Sequence, residues 1–115
     1  MTYDAGAVVL VWFPQSNLKV VDRRPALVVM PESVKTGLPQ TIVAMITTNM
    51  VRGGHASRVV FLHSTLAAKA MGLLHDSVVM TDNLMTVAHT EIEKSIGHCQ
   101  NMLAVQAALR HTLGL

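Results

Sequence analysis

Apolar residues come along this chain in short runs, and their spacing changes once, near the C-terminus. Ala7–Phe13 is apolar at every position and closed by Pro14, the mark of a strand buried on both faces. Pro14 to Asp22 is polar and irregular and predicts a loop that carries Lys19. Pro25–Met30 is the second strand, with proline at its first position, where a missing N–H costs least. Pro31–Gln40, with two prolines and Gly37, is a loop, and Thr41–Thr47 a third strand. Arg52-Gly53-Gly54-His55 breaks the chain before a short fourth strand, Arg58–Leu62. Within Ser64–Gly72, Leu66-Ala67-Ala68-Lys69-Ala70 favours one turn of helix that Gly72 cuts short. Ser77–Thr81 and Leu84–His89 read as two more strands, joined tightly through Asp82-Asn83.

At the C-terminus the period becomes helical. Met102, Val105, Leu109 and Leu113 recur on one side, and Gln100, Gln106 and Arg110 on the other. Arg110 and His111 suit the negative end of a helix dipole, and Gly114 is a natural stop. Five or six short strands and one terminal helix predict a mainly β fold: a small, curled antiparallel sheet or barrel with the helix packed on it. The length, 115 residues, fits a single domain over 1–115.

Composition narrows the class. Half of the residues are hydrophobic and only 14% charged, so a domain this small is expected to cover apolar surface by pairing with a second copy or another partner. The formal charge of +2 is compatible with a nucleic-acid partner but far from a polybasic footprint. The one cysteine, Cys99, forms no internal disulfide and fits a reducing cytosol. No basic segment followed by an apolar stretch opens the chain, and no run approaches the ~20 apolar residues that span a bilayer. A soluble, cytoplasmic protein without membrane contact is expected.

Reactive chemistry is scarce. The histidines at 55, 63, 75, 89, 98 and 111 show no HxxxH or HExxH spacing, and with one cysteine there is no CxxC, so neither a metal nor a cofactor is expected. There is no GxGxxG, no Walker lysine and no GxSxG elbow. What remains is a cation, a hydroxyl and a carboxylate at strand ends: Arg24, Thr47 and Asp82. Cleaving a phosphodiester without metal needs charge stabilisation at phosphorus, a base for the 2′-hydroxyl and an acid for the leaving oxygen. Arg24 offers bidentate phosphate recognition, Thr47 a hydroxyl donor and Asp82 a base. Each also has an ordinary structural explanation, as a strand-end cation, a β-former and a turn residue.

At these residues the chain resembles the MazF/PemK toxins of bacterial toxin–antitoxin pairs. The likeness runs through Gly6-Ala7-Val8-Val9-Leu10-Val11, Arg24-Pro25-Ala26-Leu27-Val28-Val29, Ile46-Thr47, Ser77-Val78-Val79 with Asp82, Thr86-Val87, Ala107-Ala108-Leu109-Arg110 and Leu113-Gly114-Leu115. It implies an SH3-like antiparallel β-barrel with a C-terminal helix, forming a homodimer and bound by a cognate antitoxin, with operator DNA reached only through that antitoxin. The implied activity is metal-free, sequence-specific cleavage of single-stranded RNA, leaving a 2′,3′-cyclic phosphate and a 5′-hydroxyl. Arg24 and Thr47 match the family's catalytic arginine and threonine, and Asp82 the carboxylate base of one branch. RNA contacts are then expected from Asn17, Lys19, Arg23, Thr48, Arg52, Asn83 and Thr86.

The chain departs from the pattern at four places. Ala7 replaces an acidic residue, Met80 stands where one branch has an arginine acid, and Met85 stands where many members are basic. The first loop also lacks a histidine that some members carry. Two other readings compete: a CcdB-like toxin that grips a protein such as DNA gyrase without catalysis, and a catalytically weakened SH3-like binding module. The pair Arg24 and Thr47 favours the nuclease, because a protein binder has no need of it.

Overall fold

Hydrogen bonding joins the apolar runs into one sheet whose every pairing is antiparallel. The computed structural model describes residues 2–14 and 21–115. Its strands are β1 (Ala7–Pro14), β2 (Val21–Val28), β3 (Gln40–Thr47), β4 (Arg58–Phe61), β5 (Ser77–Ala88) and β6 (Ile92–His98). Two α-helices, α1 (Leu66–Ala70) and α2 (Met102–Leu113), and one 3-10 turn, His89–Glu91, are the helical elements among the described residues. The strand order is β4-β5-β3-β2-β1-β6, an open sheet with β4 and β6 at its edges. The mainly antiparallel fold with a C-terminal helix is therefore the one expected.

Three elements differ from the sequence reading. Strand β2 begins at Val21 and places Pro25 inside it, opposite Leu10 of β1. The ladder from β2 to β3 starts only at Ala26, so Pro25 lies where the strand is paired on one side, a position that tolerates a missing N–H. The two strands expected around Asp82-Asn83 are one strand, β5. Its register on β3 jumps from Met45↔Met80 to Ala44↔Leu84, which leaves Thr81, Asp82 and Asn83 as a bulge instead of a hairpin turn. Thr81 anchors this bulge from behind: it is fully buried, its N–H donates to the Ser57 carbonyl at 3.1 Å, and its hydroxyl meets that of Thr112 on α2 at 2.7 Å. The third difference is β6, which pairs with β1 alone. Its Glu93, Lys94 and Ser95 are exposed and suit an edge that must not recruit another strand.

Strand alternation sends apolar side chains to two clusters. One joins Val8, Leu27, Ala44, Ile46 and Val79 to Ala68 and Met71 at α1 and Val105 on α2. The other, built on Val9, Val11, Ala26, Val28, Val43, Met45, Val87 and Ile92, draws every member from a strand. These side chains are at most 7% exposed, and the partly buried hydrophobic residues packed against them, Tyr3, Ala7, Phe13 and Met80, come from the strands and the N-terminal segment. Helix α2 packs against β4 and β5. Asn101 caps its start by accepting the Ala104 N–H, and Gly114, at φ +70°, ends it. Leu113, expected on the buried side, is exposed in that last turn. A Cβ at Gly97 would run into the backbone of Ala70 and Met71, so glycine lets β6 lie directly against the end of α1. Neither helix is long and apolar enough to cross a membrane.

Candidate active site

The β2–β3 register pairs Ala26 with Met45 and Leu27 with Ala44, so partner numbers sum to 71. Continued by two residues it sets Arg24 against Thr47, since 24 and 47 also sum to 71. Both line one cavity of about 280 Å³, with Phe13, Met45, Met80 and Asn83 around them. Alternation explains the choice. Arg24 shares a β2 face with Ala26 and Val28, and Thr47 shares a β3 face with Met45 and Val43, all on the strand-enclosed cluster. The cavity is the polar mouth of that cluster.

Arg24 is available for an anion. Its nearest carboxylate, Asp22, is 3.9 Å from Nε, and the Arg24 side chain is 59% exposed, so this contact holds it weakly. Thr47 Oγ1 accepts the Asn49 N–H at 3.1 Å, which leaves the hydroxyl proton free to donate into the cavity.

A second depression of about 340 Å³ adjoins the first and shares Thr47 and Met80 with it. Its other lining residues include Asn49, Arg52 and Arg58. Arg58 opens β4 directly opposite Met80 of β5. Asp82 grips Arg58 in two-pronged fashion, Nε to Oδ1 at 3.0 Å and Nη2 to Oδ2 at 3.1 Å. Asp82 itself lines neither hollow. Its hydrogen bonds from Arg58 hold the carboxyl below the usual carboxylate range, against a smaller upward push from burial. That partnership makes Asp82 a weaker proton acceptor and makes Arg58 a fixed second cation beside Thr47.

The remaining sequence candidates divide. Asn83 joins the first cavity and Arg52 the second. Arg23 points to the opposite face of β2, where it bonds both Glu93 oxygens at 2.8–2.9 Å and lies 5.8 Å from the Trp12 ring centroid. Thr48 and Thr86 are exposed and line neither hollow. Asn17 and Lys19 lie outside the described residues. Among the described residues no three His, Cys, Asp or Glu side chains converge as metal ligands would.

The family profile for PemK-like, MazF-like toxins of type II toxin–antitoxin systems matches residues 4–113. The chain belongs to that family. Among solved structures, the Mycobacterium tuberculosis toxin MazF-mt6 is 26% identical, covering 95% of this chain and 97% of that one, with a TM-score of 0.73. An endoribonuclease solved with its cognate antitoxin, from a mycobacterial species, is 20% identical over 99% of this chain and 97% of that one, with a TM-score of 0.74. MazE-MazF from Deinococcus radiodurans is 22% identical over 100% and 99%, with a TM-score of 0.76. The last two likenesses speak for the fold. No curated protein sequence matches the chain significantly.

For a PemK/MazF-like chain, Arg58 is the residue the sequence reading missed. It stands opposite Met80, the position where one branch of the family was expected to place an arginine. The signal for it was faint: Arg58 is a cation at the boundary of a short apolar run, as Arg24 also is. Which strand it would face depends on the register between β4 and β5, and no local pattern states that. Phe13, Met45 and Met80 join the strand-enclosed cluster to the cavity that they line.

Proposed function

We propose that this protein is the toxin of a toxin–antitoxin pair and cleaves single-stranded RNA at the Arg24–Thr47 cavity without a metal. Family membership supports the toxin role, and the structural relatives named as endoribonucleases support the activity. The observation that carries the reading is the meeting of Arg24 and Thr47 across β2 and β3 in one half-open hollow. In this reading the Arg24 guanidinium takes two non-bridging oxygens of the scissile phosphate, and the Thr47 hydroxyl donates to one of them. The ribose 2′-oxygen attacks phosphorus as its proton passes to solvent water, the bond to the 5′-oxygen breaks as that oxygen takes a proton from solvent, and the products are a 2′,3′-cyclic phosphate and a 5′-hydroxyl.

Negative charge grows on the phosphoryl oxygens along this path, and preorganised cations there lower the barrier. Arg58, clamped by Asp82, is the second such cation. Asp82, proposed as base by family resemblance, enters here chiefly as the group that fixes Arg58, because a carboxylate committed to a guanidinium gives up basicity. Arg52 and Asn83, on the rims of the two hollows, are the proposed contacts to neighbouring nucleotides. The protein acts in the cytoplasm as a homodimer, and a cognate antitoxin blocks it and carries it to operator DNA.

The test is incubation of purified protein with long single-stranded RNA in excess EDTA, followed by mapping of the cut ends. Cleavage to cyclic-phosphate and 5′-hydroxyl ends is expected. Activity abolished by EDTA and restored by a divalent ion would reject the mechanism.

A further inference from the structure

The larger hollow of this protein, about 470 Å³, is not the one that holds Arg24 and Thr47. It lies at the other end of β3: Thr41 lines it, six residues before Thr47 and so ~20 Å away at ~3.3 Å per strand residue. Its volume falls in the range of small-molecule sites. Its wall, the chain from Val29 to Pro39, is tied down on three sides. Thr2 Oγ1 donates to Glu32 Oε1 at 2.8 Å, the Glu32 N–H donates to Asp4 Oδ1 at 2.9 Å, and the His89 N–H donates to the Pro39 carbonyl at 2.9 Å.

Four features of its lining call for a ligand of particular chemistry. Thr41 is 1% exposed and its Oγ1 has no hydrogen-bond partner. It shares its strand face with Val43 and Met45, where valine would pack with the same shape and no stranded hydroxyl. Tyr3 and His89 form an aromatic corner, ring centroids 5.5 Å apart at 74°, against which a flat ring can stack. Lys35, exposed at the rim, offers a mobile ammonium that suits a phosphate as a point charge. The Glu32 carboxylate on the same rim can accept from a ribose hydroxyl or an exocyclic amine.

We propose that this cavity binds a nucleotide, its base against the Tyr3–His89 corner and hydrogen-bonded by Thr41, its phosphate at Lys35. The proposal stands on the cavity's own chemistry and does not depend on the cleavage reaction. Such a nucleotide could be a free monophosphate or one residue of an RNA strand, and the two sources are separable.

The experiment is calorimetric titration of wild-type protein with the four ribonucleoside 5′-monophosphates and the matching nucleosides. It is repeated on Thr41→Val, Lys35→Gln and Arg24→Ala. At least one monophosphate is expected to bind saturably. Thr41→Val should weaken it about tenfold, the loss of one buried hydrogen bond, with an unchanged or raised melting temperature. Lys35→Gln should weaken the monophosphate but not the nucleoside. Arg24→Ala should leave this binding intact while lowering RNA cleavage. A cleavage-resistant 2′-O-methyl oligonucleotide that displaces the monophosphate assigns the site to an RNA strand, and one that does not displace it assigns the site to the free nucleotide. Absence of saturable binding at millimolar concentrations would overturn the proposal. So would binding that Arg24→Ala abolishes and Thr41→Val leaves unchanged. Nucleotide binding without cleavage of any RNA would instead sink the proposed activity alone.

Discussion

Replacing Asp82 by asparagine and Arg58 by alanine, singly and together, asks what the carboxylate on the β5 bulge is for. The pair is bidentate, with the Arg58 side chain 15% exposed and that of Asp82 41% exposed. Water therefore screens one partner substantially, and the coupling in a double-mutant cycle should be about 0.5–1 kcal/mol. For a domain of this size that is a melting-temperature difference of roughly 2–6 °C. Its pH dependence has a definite sign. The folded-state pKa of Asp82 is depressed below the ordinary value of 3.8, so the pair stabilises the fold above that value. The stabilisation is lost as pH falls through the lower, folded value, and wild type and Asp82→Asn should then melt alike. Cleavage separates the roles. If Asp82 fixes Arg58, each single variant loses a similar rate, about 10²-fold, and the double variant loses little more. If Asp82 is instead the base, Asp82→Asn removes the rising limb of the pH–rate profile and its loss multiplies with that of Arg58→Ala. Multiplicative losses in rate, or unaltered stability of Asp82→Asn at pH 7, would refute the clamp.

Arg24→Ala should lower cleavage by about 10²–10³ with little change in melting temperature, because its guanidinium is exposed and loosely held. Arg23→Ala should do the reverse, leaving cleavage near wild type and costing about 0.5–1 kcal/mol through the lost Glu93 pair, as read by urea denaturation; equal activity losses would move the site. Gly97→Ala should destabilise by about 1–3 kcal/mol or more, since its methyl meets the Ala70–Met71 backbone, and a melting temperature equal to wild type would contradict that packing. Sedimentation at micromolar concentration should give the mass of a dimer, the expected consequence of a half-apolar, charge-poor small domain; a monomer mass would count against it.

The sequence was legible where burial is complete on both faces. Val8, Val9 and Val11, like Val43 and Ala44, are fully buried, so their strands appear as apolar runs, although Trp12, at 39% exposed, shows that β1 is not buried on both faces to its end. It was opaque at β6, where one side faces solvent and the residues needed there are charged. Asp82-Asn83 misled for a different reason. Local propensity says turn, but Thr81 is fastened to Ser57 and Thr112, 24 and 31 residues away, and these bonds keep the strand going. In the site, alternation alone separates Arg24 from Arg23. The meeting of Arg24 with Thr47 and the clamp on Arg58 depend on strand register, which the apolar pattern does not encode.

The bulge in β5 also sets a counting rule for the gene. Before it, the side chain that faces the strand-enclosed cluster is even-numbered, Met80; after it, the inward one is odd-numbered, Val87, while even-numbered Leu84 packs on the helical side. Only an odd surplus of residues can switch parity in this way. Deleting one residue from Thr81–Asn83 would let plain alternation keep Val87 inward and Thr86 outward, but would remove the bulge that sets Asp82 against Arg58. The surplus length of this stretch therefore serves what the bulge holds, Thr81 on Ser57 and Asp82 on Arg58, more than the core behind it.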